Sequence, residues 1–323
     1  MNHFGITPDQ PESILQFGPA DMICSICNTF KSELSAPLLL LSGLLAVTAV
    51  STLLSGTGDC IPQMKTDLSR VSALIIAGST AAPLLHCLQR TAETLHEGEI
   101  LMTGFVPVFS GFLAAGGTVT GASTYQLLIL FLTELIMQLT NGIFLPLIHS
   151  AAALGITDAI NPSLHLTGFV RSIRSAVNWM LAAVMTLFAA ILSIRSFIAS
   201  AADSVGAKTV KFLSTSLIPI IGPAVSETYA SISGSIRLVG SGVGSIGILA
   251  ILFMILPPVI SITIYRIVFR ICSMISEFAE STLLKKLFDN ASAVLSSAAA
   301  MLICYAVMLV FSTALMLMLC CRS

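Results

Sequence analysis

NASAVLSSAAAMLICYAVMLVFSTALMLMLCC, residues 290–321, contains no Asp, Glu, Lys, Arg or His. Its most apolar part, residues 298–319, is long enough to cross a hydrocarbon core that needs about 20 residues. Working outward, further runs of this kind are bounded by charges. Arg174 and Arg195 bracket residues 175–194, with Trp179 placed near one interface. Residues 238–265 are free of charge, as are residues 36–54. The run between Arg70 and Arg90 is a weaker candidate because Pro83 and His86 fall inside it, and residues 100–154 are broken by one acid, Glu134. Continuous runs of this length exclude the short alternating strands of a membrane barrel. Helices remain, because hydrocarbon offers the backbone no partner but itself.

Composition leads to the same class. Of 323 residues, 55% are hydrophobic and 10% charged, with a mean hydropathy of +0.96. Soluble domains carry roughly 25% charged residues, so an ordinary cytosolic enzyme and a disordered chain are both excluded. The 15 basic residues against 16 acidic ones leave no field for nucleic acid. The fold expected is all-α, a polytopic helical protein of the lipid bilayer with about six to eight transmembrane segments. Its organisation reads as a polar segment 1–35, a membrane block 36–154, a loop 155–175 and a second membrane block 176–265. An amphipathic helix 266–289 and a C-terminal transmembrane helix 290–323 follow. No early apolar stretch with a basic flank precedes residue 36, so a cleaved signal peptide is not expected. Lys and Arg occupy nearly every connecting segment, so the positive-inside rule sets no orientation.

Two apolar segments are poorly built for a straight helix. Residues 105–117 include Pro107 and Gly111 and end on Gly116 and Gly117; residues 212–226 include Pro219, Gly222 and Pro223. Proline removes a helical hydrogen bond and clashes with the preceding turn. Broken or re-entrant helices are expected at both places. Such breaks, one in each half of a chain, mark the transport site of repeat-built transporters; kinked helices that merely pack are the alternative.

Glu134 is the one acid well inside a spanning run, and Gln138 and Asn141 follow it at helical spacing. Gln126 lies two turns earlier, toward the edge of the stripe. A charge at mid-membrane costs about 2.5–3.5 kcal/mol on insertion scales, so the stripe should face other helices or water. It is read either as a polar pore wall or as a neutral glutamic acid joining helices. Residues 240–247 imitate a dinucleotide glycine motif but lack the strand before it and the acid after it. Gly240, Gly244 and Gly247 instead share one face, where small residues let membrane helices approach. Arg266, Arg270, Ser273, Glu277 and Glu280 form one stripe, and Ile267, Ile271, Met274, Ile275 and Phe278 the other. This pattern predicts a helix lying along the membrane or on a partner, or a solvated continuation of the helix before it.

Catalytic and metal-binding patterns are scarce. His96-Glu97-Gly98-Glu99 opens like a zinc-protease signature without its second histidine, and reads as a polar loop between spans. Cys24 and Cys27 have metal spacing but no accompanying pair. No enzyme activity, cofactor or metal is expected.

The residues around the second broken segment are more specific. Asp203, Gly206 and Lys211 lead into Ser216-Leu217-Ile218-Pro219-Ile220-Ile221-Gly222, then Ser226-Glu227, Gly234, Arg237, Gly240 and Pro257. This order resembles the stage III sporulation protein AE family of endospore-forming bacteria. Pro223 and Glu227 depart from the residues usual there. The resemblance implies a polytopic protein of the mother-cell membrane around the forespore, needed for late forespore gene expression. It implies partners among the other stage III proteins, a secretion-type ATPase and ring-forming subunits, and a channel- or permease-like role. A non-conducting scaffold and a stand-alone permease-like transporter are the alternatives.

Overall fold

The computed structural model describes residues 31, 34–49, 62–115, 119–161, 164–217, 222–278 and 281–322. Among these the chain is helical nearly throughout and contains no strand. The helices are α1 (Leu34–Ala49), α2 (Pro62–Ala115), α3 (Val119–Leu139), α4 (Leu145–Ile160), α5 (Thr167–Leu217), α6 (Gly222–Phe278) and α7 (Thr282–Arg322). A single π-helical turn, Thr140–Phe144, joins α3 to α4.

Among the described residues, four stretches are long and apolar enough to cross a membrane: Gln126–Ile160, Thr167–Ile191, Gly242–Phe278 and Thr282–Leu315; α1 is apolar but shorter. Their outward faces are greasy. Leu127 is 71% exposed, Phe131 65% and Trp179 74%. An apolar surface of that extent belongs in lipid or against another chain, which fits a membrane protein.

The helices are longer than the charge pattern suggests. α2 has 54 residues and α6 has 57, about 80 Å or more at 1.5 Å per residue, well over twice a hydrocarbon core. Charged residues were expected to end spans, yet Leu, Ala, Glu, Gln and Arg are all good helix formers, so α2 continues through His86–Glu99. The tetrad His96–Glu99 is therefore helical, not a loop. Likewise the loop expected at 155–175 shrinks to the stretch between Ile160 and Thr167.

The break expected at Pro107 is absent: α2 runs helically through Pro107 and Gly111 to Ala115. Val106 and Phe109 are fully buried on either side of the proline, so tertiary packing holds the turn that Pro107 weakens. Gly116 and Gly117 lie outside the described residues. In the second segment α5 reaches Leu217 and α6 opens on Gly222 and Pro223, where the first turn has no donor requirement for a proline to violate. Pro219 lies outside the described residues, as do Cys24, Cys27 and Glu280. No separate helix begins at residue 266; α6 continues to Phe278, and residues 282–289 open α7.

The chain divides into two compact units. One comprises Met1–Cys87, Leu154–Leu166 and Pro257–Ser296; the other comprises Leu88–Ala153, Thr167–Leu256 and Ser297–Ser323. In the first, the end of α6 and the start of α7 form a hairpin. The rings of Phe269 and Phe288 stack at 6.4 Å, and the Ser273 hydroxyl donates to Asp289 Oδ1 at 2.6 Å. Lys285 Nζ donates to Glu277 Oε1 at 2.6 Å across the turn. Ile267, Met274 and Phe278 point outward, Phe278 at 90% exposure. In the same unit Asp158 Oδ1 accepts the Leu166 N–H at 2.7 Å, tying down the turn after α4.

In the second unit α3 packs against α5. Gly240, Gly244 and Gly247 are buried on α6. A methyl group at Gly244 would lie 2.5 Å from Leu317 of α7 and 3.0 Å from Phe109 of α2; one at Gly247 would lie 2.5 Å from the Phe105 ring. Those two rings stack at 5.5 Å. Only hydrogen fits under this aromatic pair. Gly247→Leu should therefore destabilise the detergent-solubilised protein by about 1–3 kcal/mol or more, the usual cost of overpacking. Gly242→Ala, on an open face of the same helix, should leave the melting temperature unchanged. Equal melting of both variants would contradict this packing.

Candidate functional site

The polar groups predicted inside the apolar runs collect on α3 and the π turn. Glu134, Gln138 and Asn141 are all exposed on one outward face, and Gln138 Nε2 donates to Glu134 Oε1 at 3.0 Å. Apolar Phe131, Leu135 and Ile143 are exposed beside them. The stripe thus faces away from the helices of its own unit rather than into their packing.

The π turn has a local cause. Pro146 has no N–H to return to the Gly142 carbonyl, and its ring crowds that position. The helix widens instead, and the Leu145 N–H donates to the Thr140 carbonyl, five residues back. Widening turns Asn141, Gly142 and Ile143 outward together while Thr140 and Phe144 stay buried. Asn141 consequently stays on the Glu134 face at the point where the register changes. Sequence reading placed Asn141 on this face but did not find the π turn; Pro146 after Asn141-Gly142 was its signal.

Gln126 does not join the stripe. It is half-buried and accepts a hydrogen bond from the Ser110 hydroxyl of α2 at 2.8 Å, within the same unit. Pro107 and Gly111 flank this contact on α2, so the segment expected to break carries a polar tie instead.

The tetrad on α2 is organised by Gly98. His96 Nδ1 lies 3.1 Å from Glu99 Oε2, and both His96 and Glu97 are exposed. Gly98 is buried against Tyr305 of α7. Sequence reading passed over Tyr305, because one tyrosine in an apolar run carries no periodic or motif signal. Among the described residues no cluster of His, Cys, Asp and Glu could hold a metal ion.

The helical backbone places Asp203, Gly206 and Lys211 on α5, and Ser226, Arg237 and Pro257 on α6. Pro257 and Pro258 both sit inside α6 without ending it.

The tie between Ser110 and Gln126 has a measurable sign. Gln126→Leu leaves the buried Ser110 hydroxyl only the Pro107 carbonyl, 2.8 Å away, as acceptor and should cost about 0.5–1.5 kcal/mol, whereas combining it with Ser110→Ala should cost less than the sum of the two single changes. Additive effects in this double-mutant cycle, read by thermal melting, would show that the pair does not interact.

No solved structure matches the chain. The stage III sporulation protein AE of Bacillus subtilis (strain 168) is 22% identical over 263 residues, which are 80% of this chain and 65% of that protein. The chain thus spans less than two thirds of the length of that curated relative. The family model for stage III sporulation protein AE matches residues 11–320. With the match extending over nearly the whole sequence, the chain belongs to the stage III sporulation protein AE family.

Proposed function

We propose that this sporulation protein is a channel- or permease-like membrane subunit of the complex joining mother cell and forespore. It would act in the mother-cell membrane around the forespore, with a secretion-type ATPase and ring-forming stage III proteins as partners. In this reading about six to eight segments enter the bilayer, the four long apolar stretches together with α1 and parts of α2.

One observation supports it above the others: the Glu134–Gln138–Asn141 stripe is exposed on a helix long and apolar enough to span. Lipid penalises a carboxyl at that depth by several kcal/mol. A polar path lined by this stripe would be closed by another chain of the complex. Gln138 keeps the Glu134 carboxyl hydrogen-bonded meanwhile.

A scaffold without conduction is supported by a different surface. Arg270 and Lys286 are exposed near the α6–α7 hairpin, beside the outward apolar residues Met274 and Phe278. Charge reversal at Arg270 and Lys286 would then abolish partner recruitment, while changes at Glu134 would act only through protein level.

The distinguishing experiment is spore yield. Glu134→Ala should lower heat-resistant spores by at least about tenfold while the protein still accumulates in the membrane. Glu134→Gln, which retains hydrogen bonding to Gln138, should lose less. Normal yield from Glu134→Ala would set the polar-wall reading aside in favour of the scaffold.

A further inference from the structure

Within the first unit a groove of about 350 Å³ runs between α1 and the later turns of α6. Leu34, Leu38 and Leu41 form one wall, and residues 259–271 form the other, Ile264, Ile267 and Ile271 among them. Thr263 is the one polar residue of this lining, and its hydroxyl donates to the Val259 carbonyl at 2.7 Å. The walls therefore suit a hydrocarbon and hold no free group for a polar ligand. Leu38, Ile267 and Ile271 keep exposed surface along the groove, which opens outward.

Shape narrows the occupant. The α6 wall rises about 18 Å at 1.5 Å per residue, so the groove averages about 20 Å² in cross-section. That is room for a single hydrocarbon chain, and far too little for a helix about 10–12 Å across.

Charge narrows it further. The charge-free run 238–265 ends on Arg266, and Arg270 is exposed on the turn between Ile267 and Ile271. Arginine closing an apolar run places its head at the level of the lipid headgroups. Among the described residues neither arginine forms an ion pair, and the acids of the α6–α7 hairpin are engaged elsewhere, Glu277 with Lys285 and Asp289 with Ser273. A guanidinium fork matches the oxygens of a phosphate. An apolar channel one chain wide, with unpaired arginines at one end, has the charge and shape of a phospholipid site.

We infer that the groove holds one acyl chain of an anionic phospholipid whose phosphate is bound by Arg270, with Arg266 beside it. The chain runs from Ile271 toward Val259, away from the arginines and into the depth of the bilayer. A lipid held this way is a fixed part of the α1–α6 contact and does not exchange as freely as bulk lipid. The inference rests on α6 crossing the bilayer; it requires neither conduction nor the Glu134 stripe.

Lipid retention by the purified full chain tests it. The chain is extracted in detergent, equilibrated with phosphatidylglycerol or with phosphatidylcholine of the same acyl composition, and weighed intact by native mass spectrometry. One phosphatidylglycerol should stay bound, in preference to phosphatidylcholine by at least about fivefold. Arg270→Gln should remove most of that preference without lowering phosphatidylcholine retention. Ile267→Trp, which fills the groove from its exposed rim, should lower retention of both lipids. Arg171→Gln removes an exposed arginine at the start of the α5 span and should change neither. Equal retention of the two lipids by the unaltered chain would overturn the inference. A preference that survives Arg270→Gln intact, or that Arg171→Gln lowers just as much, would do the same. So would a dimer that Ile267→Trp dissociates, because a second copy would then occupy the groove. Retention is scored on the purified chain, so its failure is distinguishable from failure of the proposed channel role.

Discussion

A polar group taken out of water must find a partner, and in this chain that constraint selects the architecture. Backbone amides meet it by becoming helix almost everywhere described. Where proline removes a donor, the structure responds locally. Pro146 is accommodated by widening one turn, and Pro107 by buried neighbours that keep the helix intact. Side chains meet the same constraint in pairs. Ser110 finds Gln126, Ser273 finds Asp289 and Gln138 finds Glu134. The last of these pairs carries the functional argument, because it is exposed on a helix long and apolar enough to span a membrane.

Packing is organised around small residues for a related reason. Burial in lipid gives helices little hydrophobic incentive to associate, so close approach and van der Waals fit matter more. Gly244 and Gly247 admit Phe109, Leu317 and Phe105 to the surface of α6. Gly98 does the same for Tyr305, with a polar consequence. Glycine thus serves two ends here: it closes apolar contacts, and it sets a hydroxyl beside a charged helix.

Much of this was legible in the sequence. Uninterrupted apolar runs at 175–194 and 290–321 specify spanning helices, and the spacing of Glu134, Gln138 and Asn141 gives their shared face. Helix length was not legible, because charge was read as a terminator although Glu, Gln and Arg sustain a helix well. That error turned His96–Glu99 into a loop and hid its neighbour on α7. Nor did local rules give the fate of Pro107, since the burial of Val106 and Phe109 that steadies it is tertiary. Spacing could show that Glu134 needs company; it could not show that the stripe looks away from its own unit. Family membership came from the ordered residues around Gly222 rather than from any catalytic pattern, and the family match over residues 11–320 agrees with it.

The chain is a membrane protein of a sporulation family, and the role proposed for it is passage between two cells. Its most direct test is a clean deletion in the native host, scored with a late forespore reporter and complemented by the full chain. The account predicts normal growth and engulfment, then a small forespore and a silent reporter, both restored by the chain. Full reporter activity and normal spores from the deletion strain would contradict it.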